Sequence, residues 1–103
     1  MLVTVWEFRV RSESLSDFLS AYSPGGDWDV LFRRGEEYLS TELLRDDRDE
    51  TRFLTIDRWA SREARDQFRL RFREEYEALD RRCEGYTLEE THIGDFTLPA
   101  RAR

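Results

Sequence analysis

The chain has 103 residues, a net charge of −6 and a charged fraction of 39%. That length leaves room for one domain, and the acidic balance, with no basic stripe clear of acids, argues against nucleic acid as a partner. Three Trp, four Tyr and seven Phe argue against disorder and for a small, aromatic-rich core.

All 17 basic residues are Arg, and the chain contains no Asn. A single cysteine, Cys83, excludes an intramolecular disulfide and reads as a buried thiol. No apolar run is long enough to cross a membrane, so no membrane partner is expected. The opening MLVTVWEF has neither a charged leader nor a cleavage site, so a cytoplasmic location is expected.

Leu2 to Val10 alternates as a strand, with Leu2, Thr4, Trp6, Phe8 and Val10 on one face and Val3, Val5, Glu7 and Arg9 on the other. Ser12 or Ser14 then caps a helix over Leu15–Tyr22, which Ser23-Pro24-Gly25-Gly26 ends. Asp27 reads as the N-cap of a short helix, Trp28 to Arg34, with Trp28, Leu31 and Phe32 on one side and Gly35 after it. Flanked by glycines, this insert is expected to form a lid over one end of a cavity.

Glu37 to Arg45 is a second strand, joined through the polar Asp46 to Glu50 to a third over Arg52–Trp59 as an antiparallel hairpin. Ser61 caps one long helix, Arg62 to Glu84, whose stripe is Ala64, Phe68, Phe72, Tyr76, Leu79 and Cys83. Gly85 is expected to stop it in a left-handed conformation. Tyr86 to Ile93, extending as far as Leu98, is a fourth strand, and residues 99–103 form a loose tail.

The order β-α-(short α)-β-β-α-β predicts an α+β fold: the ferredoxin-like split βαβ, a four-stranded antiparallel sheet with helices on one face, in a single domain over residues 1–98. Both sheet faces carry apolar residues. Val3, Val5, Leu39, Leu43, Leu54 and Ile56 fall on one; Trp6, Phe8, Tyr38, Leu44, Phe53 and Trp59 fall on the other. Helices cover one face only, so the second implies another cover, and a homodimer packed sheet to sheet follows.

The stretches GDWDVLFRR, EYLSTELLRD and FLTIDRWASREARDQF, together with the last strand, resemble the antibiotic biosynthesis monooxygenase-like family of the dimeric α+β barrel superfamily. The resemblance implies a dimer with one cavity per subunit between sheet and helices. It further implies either cofactor-free oxidation of a small aromatic or polyketide-like substrate by O₂, or haem degradation, or no catalysis at all. The family Trp after the third strand maps onto Trp59, and the aromatic opening the second strand maps onto Tyr38. Three departures stand out: Glu36-Glu37 replace the usual Gly, no Asn is present, and the long helix has no His to hold haem iron.

Cofactor-free oxygenation needs an acidic substrate, a proton acceptor and a dry cavity. Trp59, Tyr38 and His92 are the catalytic candidates. Trp6, Trp28, Phe32, Asp57, Phe72 and Tyr76 are the substrate-binding ones, with Arg58 as a further anion stabiliser. His92 is the only imidazole. No spacing typical of a metal site occurs, so no metal and no cofactor are expected. The alternative to an oxygenase is a non-catalytic dimer of the same fold that binds a small ligand or serves as an accessory subunit.

Overall fold

In the computed structural model, which describes residues 1–99, the strands are β1 (Leu2–Val10), β2 (Tyr38–Asp46), β3 (Asp49–Trp59) and β4 (Thr87–Thr97). The helices are α1 (Leu15–Tyr22), α2 (Asp27–Phe32), α3 (Arg62–Arg71) and α4 (Arg73–Cys83). The four strands form one antiparallel sheet in the order β2-β3-β1-β4, with the helices on one face. This is the ferredoxin-like arrangement. Apart from Pro99, the expected loose tail lies outside the described residues.

The helix-side face and the helices enclose Leu2, Phe8, Val10, Phe18, Phe53, Trp59, Phe68, Phe72 and Cys83, all buried. Tyr22 and Phe18 stack with ring centroids 4.3 Å apart, and Phe53 packs on Phe18 at 5.0 Å. Ser61 caps α3 as expected, its hydroxyl accepting from the Ala64 amide at 3.0 Å.

Four local readings are corrected. The expected long helix is two: Phe72 leaves helical geometry at φ −111, ψ 30. No Pro or Gly marks the bend; α3 packs on β3 whereas α4 packs on α2, and one straight helix cannot follow both. Gly85 lies in a 3₁₀ turn, and the glycine with positive φ is Gly25 (φ 84). Gly26, not Asp27, is the N-cap of α2. Finally, Leu43 and Leu44 exchange faces. Tyr38 pairs with Trp59 but Ser40 pairs with Arg58, so β2 takes two steps where β3 takes one. Leu43 then lies opposite Thr55 on the helix side, and Leu44 lies opposite Leu54 on the open side.

The open face carries Val3, Val5, Leu44, Leu54, Ile56 and Phe96. Val5 pairs with Ile56, Leu44 with Leu54 and Val3 with Phe96. Leu44 and Phe96 are 45% and 49% exposed, so no helix shields them from water.

Candidate functional site

The helix-side face is polar where β2 and β3 run side by side. Thr41, Thr55 and Asp57 point from it toward the helices, because each lies an even number of residues, or a bulge, from its neighbour on that face. A cavity of about 70 Å³ lies between these residues and α2 and α4. Its walls are Trp6, Phe8, Tyr22, Trp28, Phe32 and Tyr76, and its polar groups are Thr41, Thr55, Asp57, Asp80 and Glu90. A smaller pocket of about 30 Å³ shares Trp6, Phe32, Asp57 and Tyr76 and continues toward Trp59, Arg65 and Arg69. Outside it, Trp6, Arg69, Leu70, Arg73 and Tyr76 line an open surface cleft.

Asp57 is the carboxyl group common to both pockets. Burial pushes it up to about 6; the Thr41 hydrogen bond opposes that, the Asp29 charge adds to it, and the Arg69 charge opposes it. Behind it runs a line of side chains. Thr41 Oγ1 lies 2.7 Å from Asp57 Oδ1, Tyr38 Oη lies 2.5 Å from Thr41 Oγ1, and Tyr38 Oη donates to Asp29 Oδ1 at 2.6 Å. Asp29 is buried in α2 yet well partnered, accepting from the Gly25 amide at 2.7 Å and from Arg33 at 2.9 Å. Burial alone would raise its carboxyl; the hydrogen bonds from Tyr38, Gly25 and Arg33 hold it below the usual range. Burial, reinforced by the bond to Asp29, raises the Tyr38 phenol.

A second polar cluster sits across the sheet. Asp95 accepts from Thr4 at 2.9 Å, meets Arg65 at 3.1 Å and bonds His92 Nε2 at 3.1 Å. Burial opposes ionisation here too, but Thr4, Arg65 and His92 bring the Asp95 carboxyl down to about 2.

The nine sequence candidates therefore separate. Trp6, Trp28, Phe32, Asp57 and Tyr76 line the cavity together. Trp59 is 2% exposed and touches only the inner pocket, its ring 5.1 Å from that of Tyr38 and 5.2 Å from that of Phe68. Tyr38 stands one hydrogen bond behind the cavity wall. Phe72 faces away, between the guanidinium groups of Arg34 and Arg71. His92 is held on Asp95 with its ring 5.0 Å from Trp6, on edge strand β4; Tyr38 is on the opposite edge strand β2, so the two do not converge. Arg58 is on the open face, paired with Glu42 at 2.5 Å, and contributes nothing to the cavity.

Thr41, Thr55, Asp29, Arg65 and Asp95 escaped the sequence reading. Asp29 carried the one legible signal: an acid between Trp28 and Leu31 in a short apolar helix. In α2, the expected lid, Trp28 and Leu31 are buried. Gly35, which follows α2, lies in close contact with the core. A Cβ there would come within 2.8 Å of Phe68 and 3.1 Å of Trp59. No helix among the described residues is long and apolar enough to cross a membrane. Those residues also contain no cluster of three or more His, Cys, Asp or Glu able to hold a metal ion.

A ferredoxin-like sheet with an aromatic cavity beneath its helices defines a class of small α+β proteins, and comparison narrows it. The family model for antibiotic biosynthesis monooxygenase matches residues 1–71, and the chain belongs to that family. Among solved structures it is similar to a protein of the antibiotic biosynthesis monooxygenase type from Deinococcus radiodurans, with TM-score 0.78 at 8% identity, covering 100% of this chain and 97% of that one. It is likewise similar to SnoaB, a cofactor-independent oxygenase from Streptomyces nogalater, with TM-score 0.74 at 15% identity, covering 97% and 94%. A NIPSNAP domain protein from Burkholderia xenovorans matches with TM-score 0.71 at 14% identity, covering 100% and 99%. At these identities the likeness is one of fold. No curated protein matches the chain.

Proposed function

We propose that the protein is a cofactor-independent monooxygenase acting on a small aromatic or polyketide-like substrate, with Asp57 as its base. The observation that carries this reading is a carboxyl group of raised proton affinity, Asp57, at the junction of the aromatic cavity and its inner pocket; burial also raises Glu90 in the cavity wall, but Glu90 does not reach the inner pocket. A base with a pKa near the working pH combines proton affinity with availability. The family membership and the likeness to SnoaB support the reaction class.

The substrate in this scheme is a fused-ring ketone with an acidic methylene. Asp57 takes one methylene proton, and the carbanion gives one electron to O₂. The resulting radical and superoxide combine into a peroxide anion, which is protonated. Loss of the second C–H proton then expels hydroxide from the O–O bond, giving a carbonyl and, after protonation, water. Both electrons of the second oxygen's reduction come from the substrate, so no external reductant is needed. Trp6, Trp28, Phe32 and Tyr76 hold the flat ring, and the surrounding apolar walls exclude water. A cavity of about 70 Å³ is smaller than a fused ring, so Trp6 and Tyr76, which also border the outer cleft, swing aside to admit substrate.

The working form in this reading is a homodimer. A second copy laid on Val5, Leu44, Leu54 and Ile56 would cover the open face and close the barrel, each such side chain contributing about 1.5–3 kcal/mol if fully buried.

The test is O₂ uptake with a panel of fused-ring ketones in the presence of a chelator. Wild type should consume one O₂ per ketone oxidised, and Asp57→Asn should lose the activity at least 100-fold. Saturable binding with no uptake by wild type would assign the chain instead to the non-catalytic ligand binders of this fold.

A further inference from the structure

The line Asp57–Thr41–Tyr38–Asp29 contains three successive oxygen–oxygen contacts, of 2.7, 2.5 and 2.6 Å. Each is short enough to require a hydrogen between its oxygens, because two lone pairs at such a distance repel. Two hydroxyl groups supply two hydrogens. If Tyr38 donates to Asp29 and Thr41 donates to Asp57, nothing remains for the shortest contact, Tyr38 to Thr41. The third hydrogen must reside on one of the two carboxyl groups. Asp29 is unsuited, since the Gly25 amide and the Arg33 guanidinium already donate to it.

We propose that in this arrangement Asp57 carries the third proton, so that Asp57 donates to Thr41, Thr41 to Tyr38 and Tyr38 to Asp29. Four side chains thus form a two-carboxyl, one-proton array, in which Asp29 and Tyr38 are positioning residues that set the protonation state at the cavity wall. The low proton affinity of Asp29 gives the array its direction. The other charged or titratable groups lining the pockets with Asp57 are Tyr22 on α1, Arg65 and Arg69 on α3, Tyr76 and Asp80 on α4, and Glu90 on β4; the Arg69 charge favours its ionised form. Loss of the proton from Asp57 reverses Thr41, which then donates to Asp57, and the Tyr38–Thr41 contact must widen. Under the oxygenase reading, Asp57 must be emptied before it can accept a substrate proton. The protonation claim itself stands without any turnover.

The test is ¹³C NMR of protein labelled at the aspartate carboxyl carbons, titrated from pH 3 to pH 9. The Asp57 signal is identified by its loss in Asp57→Asn. The expected result is a wild-type Asp57 midpoint at about 6 or above. Tyr38→Phe and Asp29→Asn should each lower it by one unit or more, since Thr41 is then free to donate to Asp57. Burial and the Asp29 charge by themselves predict no drop in Tyr38→Phe, as Phe is no more polar than Tyr; Asp29→Asn also removes a charge that raises Asp57, so Tyr38→Phe is the deciding variant. A wild-type midpoint in the ordinary carboxylate range, about 4, would overturn the proposal, and so would a raised midpoint unmoved by Tyr38→Phe. The wild-type titration decides the first point even if a variant fails to fold. Absence of O₂ uptake alongside the expected titrations would sink the oxygenase reading and leave the array intact.

Discussion

The Ala60 amide donates to the Glu37 carbonyl at 2.8 Å and ties the start of β2 to the corner after β3. Glu37 is there the only residue other than glycine with positive φ among those described, at 63°. A side chain in that region costs roughly 1–2 kcal/mol, whereas Gly adopts it freely. Glu37→Gly should therefore stabilise the fold by about 0.5–1 kcal/mol, the strain relief less glycine's greater unfolded entropy. Chemical denaturation should show a higher midpoint at unchanged slope; a lower midpoint would refute the strain.

Trp59 fills the corner between β3 and α3, with the rings of Phe32, Tyr38 and Phe68 within 5.7 Å. Trp59→Ala should cost roughly 3–5 kcal/mol, the range for truncating a buried large aromatic. Thermal melting checks this, and a variant within a degree or two of wild type would contradict the packing described.

Asp57 should trade stability for chemistry. Its folded pKa is above the unfolded value, so it lowers stability as pH rises from about 4 through about 6, and that loss persists above. Asp57→Asn should thus be more stable than wild type by about 1–3 kcal/mol at pH 8 and indistinguishable from it at pH 3.5. Melting at the two pH values is the measurement. An equal difference at both would show that the change is one of packing.

Asp95 has the opposite sign. Its folded pKa is depressed to about 2, so its contribution is complete above the unfolded value of about 4 and disappears as pH falls toward 2. Asp95→Asn should cost about 2 kcal/mol at pH 7 and less than about 0.5 kcal/mol near pH 2. Urea titrations at several pH values would reveal the convergence; parallel curves would exclude it.

The open sheet face predicts self-association. Light scattering should give twice the 12.4 kDa chain mass. Ile56→Asp, which sets a charge among Val5, Leu44 and Leu54, should give the monomer mass. A monomeric wild type at micromolar concentration would refute the dimer.

Period and capping are local, and they were legible in the chain: α1 over Leu15–Tyr22, the Ser61 cap, the buried Trp59, and the α3–α4 stripe from Ala64 to Cys83. Their causes lie within a few residues of one another, as side-chain spacing or a hydroxyl three positions from an amide. The phase of a strand after a bulge is different, since it depends on the partner strand. The extra residue near Leu39 moved Leu43 inward and Leu44 outward. A second irregularity, opposite Val5 and Trp6, put Asp95 rather than Gly94 on the face of His92. Sheet order then separated Tyr38 from His92 by placing them on opposite edges. It was also tertiary packing that brought Asp29 of a six-residue helix against Tyr38, and through it into line with Thr41 and Asp57 of two strands. Composition marked those four residues as ordinary surface polar groups or candidates for separate roles. Only their convergence, where burial removes water and leaves them each other as partners, makes them one array.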